Sequence, residues 1–153
     1  MSELLPDTGW RLFFDGTASP NPGRMGIGCL LLAPDGSEHH ISRALSGSGC
    51  NNEAELQALL AGVQLAAELG VTTLHIAGDS RAMLDYLQAG AVATVPRLQE
   101  LLDQVRQRLA VLAAYRCTWL PRHRNQVADA LARQAIGLAL KPAGRPISRR
   151  RRR

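Results

Sequence analysis

The chain has 153 residues, of which 46% are hydrophobic and 20% charged, so it is one globular domain with enough apolar side chains for a core. That composition excludes a disordered chain, a collagen-like fibre and a disulfide-stapled mini-protein. The formal net charge of +5 belongs arithmetically to the terminal run Arg149, Arg150, Arg151, Arg152 and Arg153, because residues 1–148 hold 13 basic and 13 acidic side chains.

In chain order, residues 1–9 read as a short acidic extension without the basic-then-apolar order of an export signal. Trp10–Phe14 is an apolar run expected to form a strand that stops at Asp15-Gly16. Gly26–Ala33 and Glu38–Leu45 are two further strands separated by the turn signal Pro34-Asp35-Gly36, so an antiparallel meander is expected. From Asn52 to Leu69 the period becomes helical, with Leu56, Leu59, Leu60 and Val63 on one stripe and Gly70 as the stop. Thr72–Ala77 is a fourth strand, followed by Gly78-Asp79-Ser80 and a helix to about Gln88. Pro96 opens a helix to about Ala113, Tyr115–Leu120 is the fifth strand, and Asn125 or Gln126 opens a last helix to about Leu140. Residues 141–153 lack apolar periodicity and are expected to be a basic disordered tail, leaving 10–140 as the folded unit. The order β-β-β-α-β-α-α-β-α implies an α/β fold with one five-stranded mixed sheet, a meander followed by parallel strands, flanked by helices.

Charge divides unevenly along this order. Residues 1–115 carry 7 basic and 12 acidic side chains, whereas 116–153 carry 11 basic ones and a single acid, Asp129. Such a basic C-terminal third suits a polyanionic partner or a solvated tail. The three cysteines, Cys29, Cys50 and Cys117, are odd in number and form no CxxC pair. They read as reduced thiols, and the protein is expected in the cytoplasm, without a membrane span and as a monomer.

Four acids stand where ordinary solubilising charge is not needed. Asp15 and Asp79 are expected at strand ends, where open α/β sheets place their ligands, although a turn or helix-cap role is open to each. Ser80 offers an alternative cap that would release Asp79. Helical spacing from Glu55 meets Leu59, Gly62 and Ala66, the core side, so that carboxylate needs a cation or a proton. Spacing from Glu53 meets Gln57, Gln64 and Glu68, so Glu53 reads as a solvated charge at a helix N-terminus. Asp129 falls in the first turn of the last helix, where an aspartate is also favoured by the helix dipole. Four such anions stay ionised together only around divalent cations, and an all-oxygen set favours Mg²⁺ or Mn²⁺. Two such ions can activate a water and stabilise the leaving oxygen of a phosphodiester.

The segments that carry these acids resemble type 1 ribonuclease H. DGTASPNPG (15–23) with GIG (26–28), NNEAEL (51–56), DS (79–80) and NQVAD (125–129) follow one another in that family's order. The resemblance spans roughly residues 10–137. It implies the RNase H-like fold, two Mg²⁺ ions per site and cleavage of the RNA strand of RNA/DNA hybrids to 5′-phosphate and 3′-hydroxyl ends. Asp15, Glu55, Asp79 and Asp129 would be the metal-binding quartet. Asn21, Asn51 and Asn52 match positions that line the minor groove of the hybrid, where an amide can read a 2′-hydroxyl. Turn formation (Asn21) and helix capping (Asn51, Asn52) are the blander roles.

Two departures from the family pattern matter. His123 lies only two residues before Asn125, in WLPRHRNQVAD, as in the compact archaeal-like branch with a short loop. It is either a proton-transfer residue or one more phosphate contact beside Arg122 and Arg124. The interval between Gly90 and Pro96 has no room for a basic protrusion. Ser48 and Cys50 replace an Arg and a Thr that grip the DNA strand, which loosens the expected selectivity between hybrid and double-stranded RNA. A binding module of the same fold with weak or altered nuclease activity is the alternative function. His39, His40 and His75 read as ordinary sheet residues, and Trp10 and Trp119 as core or edge packing.

Overall fold

The computed structural model describes residues 9–88 and 90–139. The expected tail with Arg149–Arg153 therefore lies outside the described residues, as do residues 1–8. Strands β1 (Trp10–Ser19), β2 (Gly23–Leu32) and β3 (Glu38–Gly49) form the antiparallel meander. Helix α1 (Asn51–Glu68) carries the chain back to β4 (Thr73–Gly78), which pairs parallel with β1. After α2 (Arg81–Gln88) and α3 (Pro96–Ala110), β5 (Ala114–Trp119) joins β4 in parallel. A single 3₁₀ turn over Arg122–Arg124 precedes α4 (Gln126–Ala135). The sheet order is β3-β2-β1-β4-β5, so the two strands expected to carry Asp15 and Asp79 are neighbours at its centre.

Alternation divides the sheet into two faces. Leu12, Phe14, Cys29, Leu31, Leu74 and Ile76 are all buried in one cluster with Leu56, Leu59 and Val63 of α1, and α3 adds Leu98, Leu101, Leu102 and Val105 behind them. Each such side chain contributes about 1.5–3 kcal/mol when fully buried. Gly62 of α1 faces Leu12 and Cys29, and the Cys29 thiol donates to the Ala58 carbonyl at 3.1 Å. Burial pushes that thiol up to about 12, so it acts as a small core group. All three cysteines are free thiols. Helix α4 lies on the opposite face, over β2.

Several boundaries differ from expectation for identifiable reasons. Asp15-Gly16 does not end β1: the strand continues to Ser19, with Asp15 opposite Gly28 and Ser19 opposite Arg24. An aspartate–glycine pair is a local turn signal, and it is overridden here because α1 packs directly on Gly16. The last helix stops at Ala135 rather than near Leu140, because Gly137 takes φ +75° and Leu138 N–H returns to the Arg133 carbonyl. Gly70, also at positive φ, closes α1 as expected, and Pro96 opens α3. Among the described residues no helix is long and apolar enough to cross a membrane.

Candidate metal centre and active site

The four acids arrive from four different elements. Parallel pairing of β1 and β4 runs as far as Phe13 opposite Ala77. Two residues further on each strand come Asp15 and Asp79, side by side although Asp15 is mid-strand with respect to β2. Ser80 caps α2, its Oγ accepting from Met83 N–H at 3.3 Å, which leaves the Asp79 carboxylate for other partners. Glu55 lies in the second turn of α1, whose core side is Leu59, Gly62 and Ala66 as expected. Asp129 lies in the first turn of α4, with Ala132 buried beneath it.

Two glycines set how closely the helices approach. At Gly16 a Cβ would overlap the Ala54 carbonyl and press on Glu55 N, and at Gly28 it would overlap the Ala128 carbonyl. The backbones of α1 and α4 therefore sit directly on the sheet at the turns that bear Glu55 and Asp129.

The result is a cleft of about 290 Å³ lined by Asp15, Glu55, Asp79, Asp129, Asn51, Arg122 and Arg133 together with Gly16 and Thr17. Carboxylate oxygens of Asp15, Glu55 and Asp79 lie within 4.8 Å of one another. Asp15 is 8% exposed. Burial, then the carboxylates of Asp79, Glu55 and Asp129, then a hydrogen bond with Asp129 push its pKa up to about 8. Glu55 is pushed up to about 7, chiefly by burial, while the Ser80 hydroxyl and Arg122 work in the opposite direction. Glu55 Oε1 is buried without a hydrogen-bond partner. A hard divalent cation answers all three observations: it has an all-oxygen donor set, it offsets the mutual repulsion, and it partners the orphaned oxygen.

Other predicted residues divide between the cleft and its surroundings. Asn51 lines the cleft and its Oδ1 accepts from Ala18 N–H at 2.7 Å, while Asn21 Oδ1 accepts from Asn51 N–H at 3.1 Å. These carbonyls join the end of β1, the β1–β2 turn and the start of α1. The cap position itself belongs to Cys50, so Asn51 and Asn52 are helical residues and not caps. Arg122 reaches the cleft, whereas His123 and Arg124 are exposed beside it in the 3₁₀ turn and do not line it. Glu53 is not a solvated charge: its side chain is 15% exposed and its carboxylate pairs with Arg97 at 3.3 Å, tying α1 to α3. Of the core and edge positions open to Trp119, it takes the edge. It is 39% exposed on the edge strand, its indole N–H donates to the Asp79 carbonyl at 3.2 Å, and Arg81 stacks 4.2 Å from its ring centre.

Asn125 was legible as a helix opener and as the first residue of NQVAD but not as a site residue, yet it is 2% exposed and central to the site. Its Nδ2 donates to the Phe14 carbonyl at 3.0 Å and to Asp79 Oδ2 at 2.9 Å, joining β1, β4 and the start of α4. Arg133 also went unnoticed; its i+4 spacing from Asp129 is the signal that places both on one side of α4. Asn125→Asp would set an acceptor against two acceptors. That variant is expected to lose activity by about tenfold or more while Asn125→Ser loses less, which steady-state cleavage kinetics on both variants would measure.

A mixed sheet with this order and an acid cluster over its two central strands defines the RNase H-like class of domains. A family model described as reverse transcriptase-like matches residues 13–135, and the chain belongs to that family as an enzyme of the ribonuclease H type. It is 32% identical over 135 residues to ribonuclease HI of Halobacterium salinarum, covering 87% of this chain and 68% of that one. The crystal structure of RNase H1 from the same archaeon matches with a TM-score of 0.78 at 30% identity, covering 83% of this chain and 96% of that one. A bifunctional protein of Mycobacterium tuberculosis is 31% identical over 84% of this chain, which spans only 36% of that relative's length. LC11-RNase H1 in complex with an RNA/DNA hybrid, an enzyme isolated from compost, matches with a TM-score of 0.76 at 25% identity, covering 83% of this chain and 96% of that one.

Proposed function

We propose that the protein is an endonuclease that hydrolyses the RNA strand of RNA/DNA hybrids with divalent metal, leaving 5′-phosphate and 3′-hydroxyl ends. The observation that carries this reading is the trio of buried Asp15 and half-buried Glu55 and Asp79, with ligand atoms within 4.8 Å and Asp129 beside Asp15, in a chain of this family. Asp15, Glu55, Asp79 and Asp129 would hold two Mg²⁺ ions, with Mn²⁺ as a substitute. Bound there, the metal would supply an activated water and charge stabilisation for the departing 3′-oxygen.

This chain's own residues do the rest. Asn125 fixes the Asp79 carboxylate against β1. Arg122 and Arg133 bring positive charge to the cleft for the phosphate that enters it. Asn21 and Asn51 spend their carbonyl oxygens within the protein, which keeps their amide N–H groups for a 2′-hydroxyl or a base edge. Asn52 extends that row at the start of α1. Arg124 adds a phosphate contact on the exposed side of the 3₁₀ turn. His123, exposed beside Arg122 and outside the cleft lining, either adds one more phosphate contact or assists proton transfer or product release. Arg149–Arg153 add sequence-independent attraction to the duplex. Residues 10–140 form the catalytic unit, which acts as a monomer in the cytoplasm and accepts double-stranded RNA as a weaker substrate.

Asp79→Asn is the direct test. It removes a ligand but keeps an acceptor oxygen, so hybrid cleavage in Mg²⁺ is expected to fall about 10³-fold while hybrid binding is retained. Near-normal cleavage by that variant, or cleavage by the wild type in excess chelator, would sink the assignment. A panel of hybrid, double-stranded RNA and DNA with one embedded ribonucleotide then defines the substrate range.

A further inference from the structure

On the sheet face shared with Asp15, strand register sets three basic residues side by side. Arg11 of β1 is paired with His75 of β4, and His75 with Arg116 of β5. They alternate with Leu12, Leu74 and Cys117, whose side chains turn the other way. His75 is 6% exposed and fixed at both ring nitrogens: Nε2 lies 2.7 Å from Thr118 Oγ1 and Nδ1 lies 3.4 Å from Arg116 Nη2. Arginine only donates, so Nδ1 accepts and the Nε2–H donates to Thr118. The imidazole is therefore neutral, and the Thr118 hydroxyl keeps its own proton for another acceptor.

Among the described residues no carboxylate balances the positive charge here. Arg11 Nε is buried without a hydrogen-bond partner. Among the described residues neither Arg11 nor Arg116 is in an ion pair with a carboxylate. Glu38 stands in the same cross-strand row but beyond Leu32, and its carboxylate is taken by His40 at 2.9 Å. Burial first, then the positive charges of Arg116 and Arg11, push the His75 pKa down to about 4. The row lies four residues back from Asp15 along β1, which is about 13 Å at the usual rise of a strand.

We propose that Arg11, Arg116 and Thr118, arranged around the neutral His75, form a phosphate-binding site separate from the acid cluster. Two guanidinium groups on strands β1 and β5, on either side of His75, and the Thr118 hydroxyl two residues beyond Arg116 on β5 suit an anion with three or more acceptor oxygens. A carboxylate offers two in one plane; a tetrahedral phosphate meets the demand. The phosphate comes either from a free phosphate or 5′-nucleotide, or from a nucleic-acid strand that extends beyond the catalytic cleft.

The test is titration of the full-length protein with inorganic phosphate, followed at the His75 ring resonances, with chloride at equal ionic strength as the control. A saturable shift specific to phosphate is expected. Arg116→Gln, whose parent side chain is exposed, is expected to weaken it about tenfold or more without disturbing the fold. No phosphate-specific shift, or an unchanged affinity in both Arg11→Gln and Arg116→Gln, would overturn the proposal. A second arm identifies the source by following hybrid binding against salt in chelator. If Arg116→Gln lowers the log–log slope by about 0.9 the phosphate belongs to a strand; an unchanged slope beside a lost phosphate response assigns it to a free phosphate. Cleavage in low-salt Mg²⁺ is not part of the readout, so this site stands or falls independently of the nuclease assignment.

Discussion

Asp15→Asn is expected to cut hybrid cleavage sharply and, in the absence of metal, to make the fold more stable at neutral pH. The two effects have one cause. Asp15 is buried among three other carboxylates and its pKa is pushed from 3.8 up to about 8. A group raised in the folded state contributes stability that is fully present below its unfolded value. That contribution is lost as pH rises through the folded one. Metal-free wild-type protein should therefore lose stability as pH climbs from about 4 to about 8. Glu55 acts in the same sense between 4.5 and about 7. His75 has the opposite sign, since its value falls from 6.5 to about 4 and its contribution is lost as pH falls through that window. The interval from pH 6.5 to 8 thus isolates the acids. Denaturant unfolding in chelator across it should show a decline of up to about 2 kcal/mol from Asp15, one proton over that range, and Asp15→Asn should flatten it. Added Mg²⁺ should restore wild-type stability by binding the native state, with far less effect on the variant. Cleavage should fall on the order of 10³-fold. A variant with the wild-type pH slope would show that Asp15 is not the group that bears the repulsion.

That coupling of stability to the acids explains which parts of the molecule could be read from the sequence. Helices were legible because their signals are local: the stripe Leu56, Leu59, Leu60 and Val63, Pro96 at a helix start, and Gly70 at a positive φ. Glu55 was legible for the same reason, as a carboxylate on an apolar stripe. Asp15 was placed in the right cluster but at the wrong point of its strand. The pair Asp15-Gly16 looks like a turn until α1 is laid on Gly16, which is a contact with Ala54 far along the chain. Asn125 shows the same limit more strongly. Its two partners are 111 and 46 residues away, and no local pattern distinguishes such a clamp from a helix opener. Glu53 followed its helical spacing to the wet side of α1, but Arg97 of α3 covers that side and turns a surface charge into an ion pair. The family likeness named the acids. The physical reason they converge lies in glycines whose importance is only tertiary.

Gly28→Ala tests that reason and is expected to damage the protein more than any surface change. Gly28 pairs with Asp15 across β1 and β2 and lies directly beneath α4. An added methyl there meets the Ala128 carbonyl and the Ala132 amide nitrogen, with Leu131 Cβ at 2.8 Å. None of these is the far end of a flexible side chain, so relief requires α4 to move away from the sheet. Overpacking of this kind costs about 1–3 kcal/mol, and a backbone neighbour puts the expected value near the top of that range. The functional cost should be disproportionate. α4 carries Asp129 and Arg133, and Asn125 precedes it with the hydrogen bonds that hold Asp79. A shift of about 1 Å at such a site reduces turnover on the order of 10²-fold even in molecules that remain folded. Gly36→Ala supplies the control, because its positive φ of 90° strains the substitution but nothing lies within 4 Å of the added methyl. Gly36→Ala should lower stability without lowering the rate of the folded fraction. Thermal unfolding together with cleavage at a temperature where each variant is folded separates the two effects. Equal activity in Gly28→Ala and Gly36→Ala would mean that the seating of α4 on the sheet does not position the acid cluster.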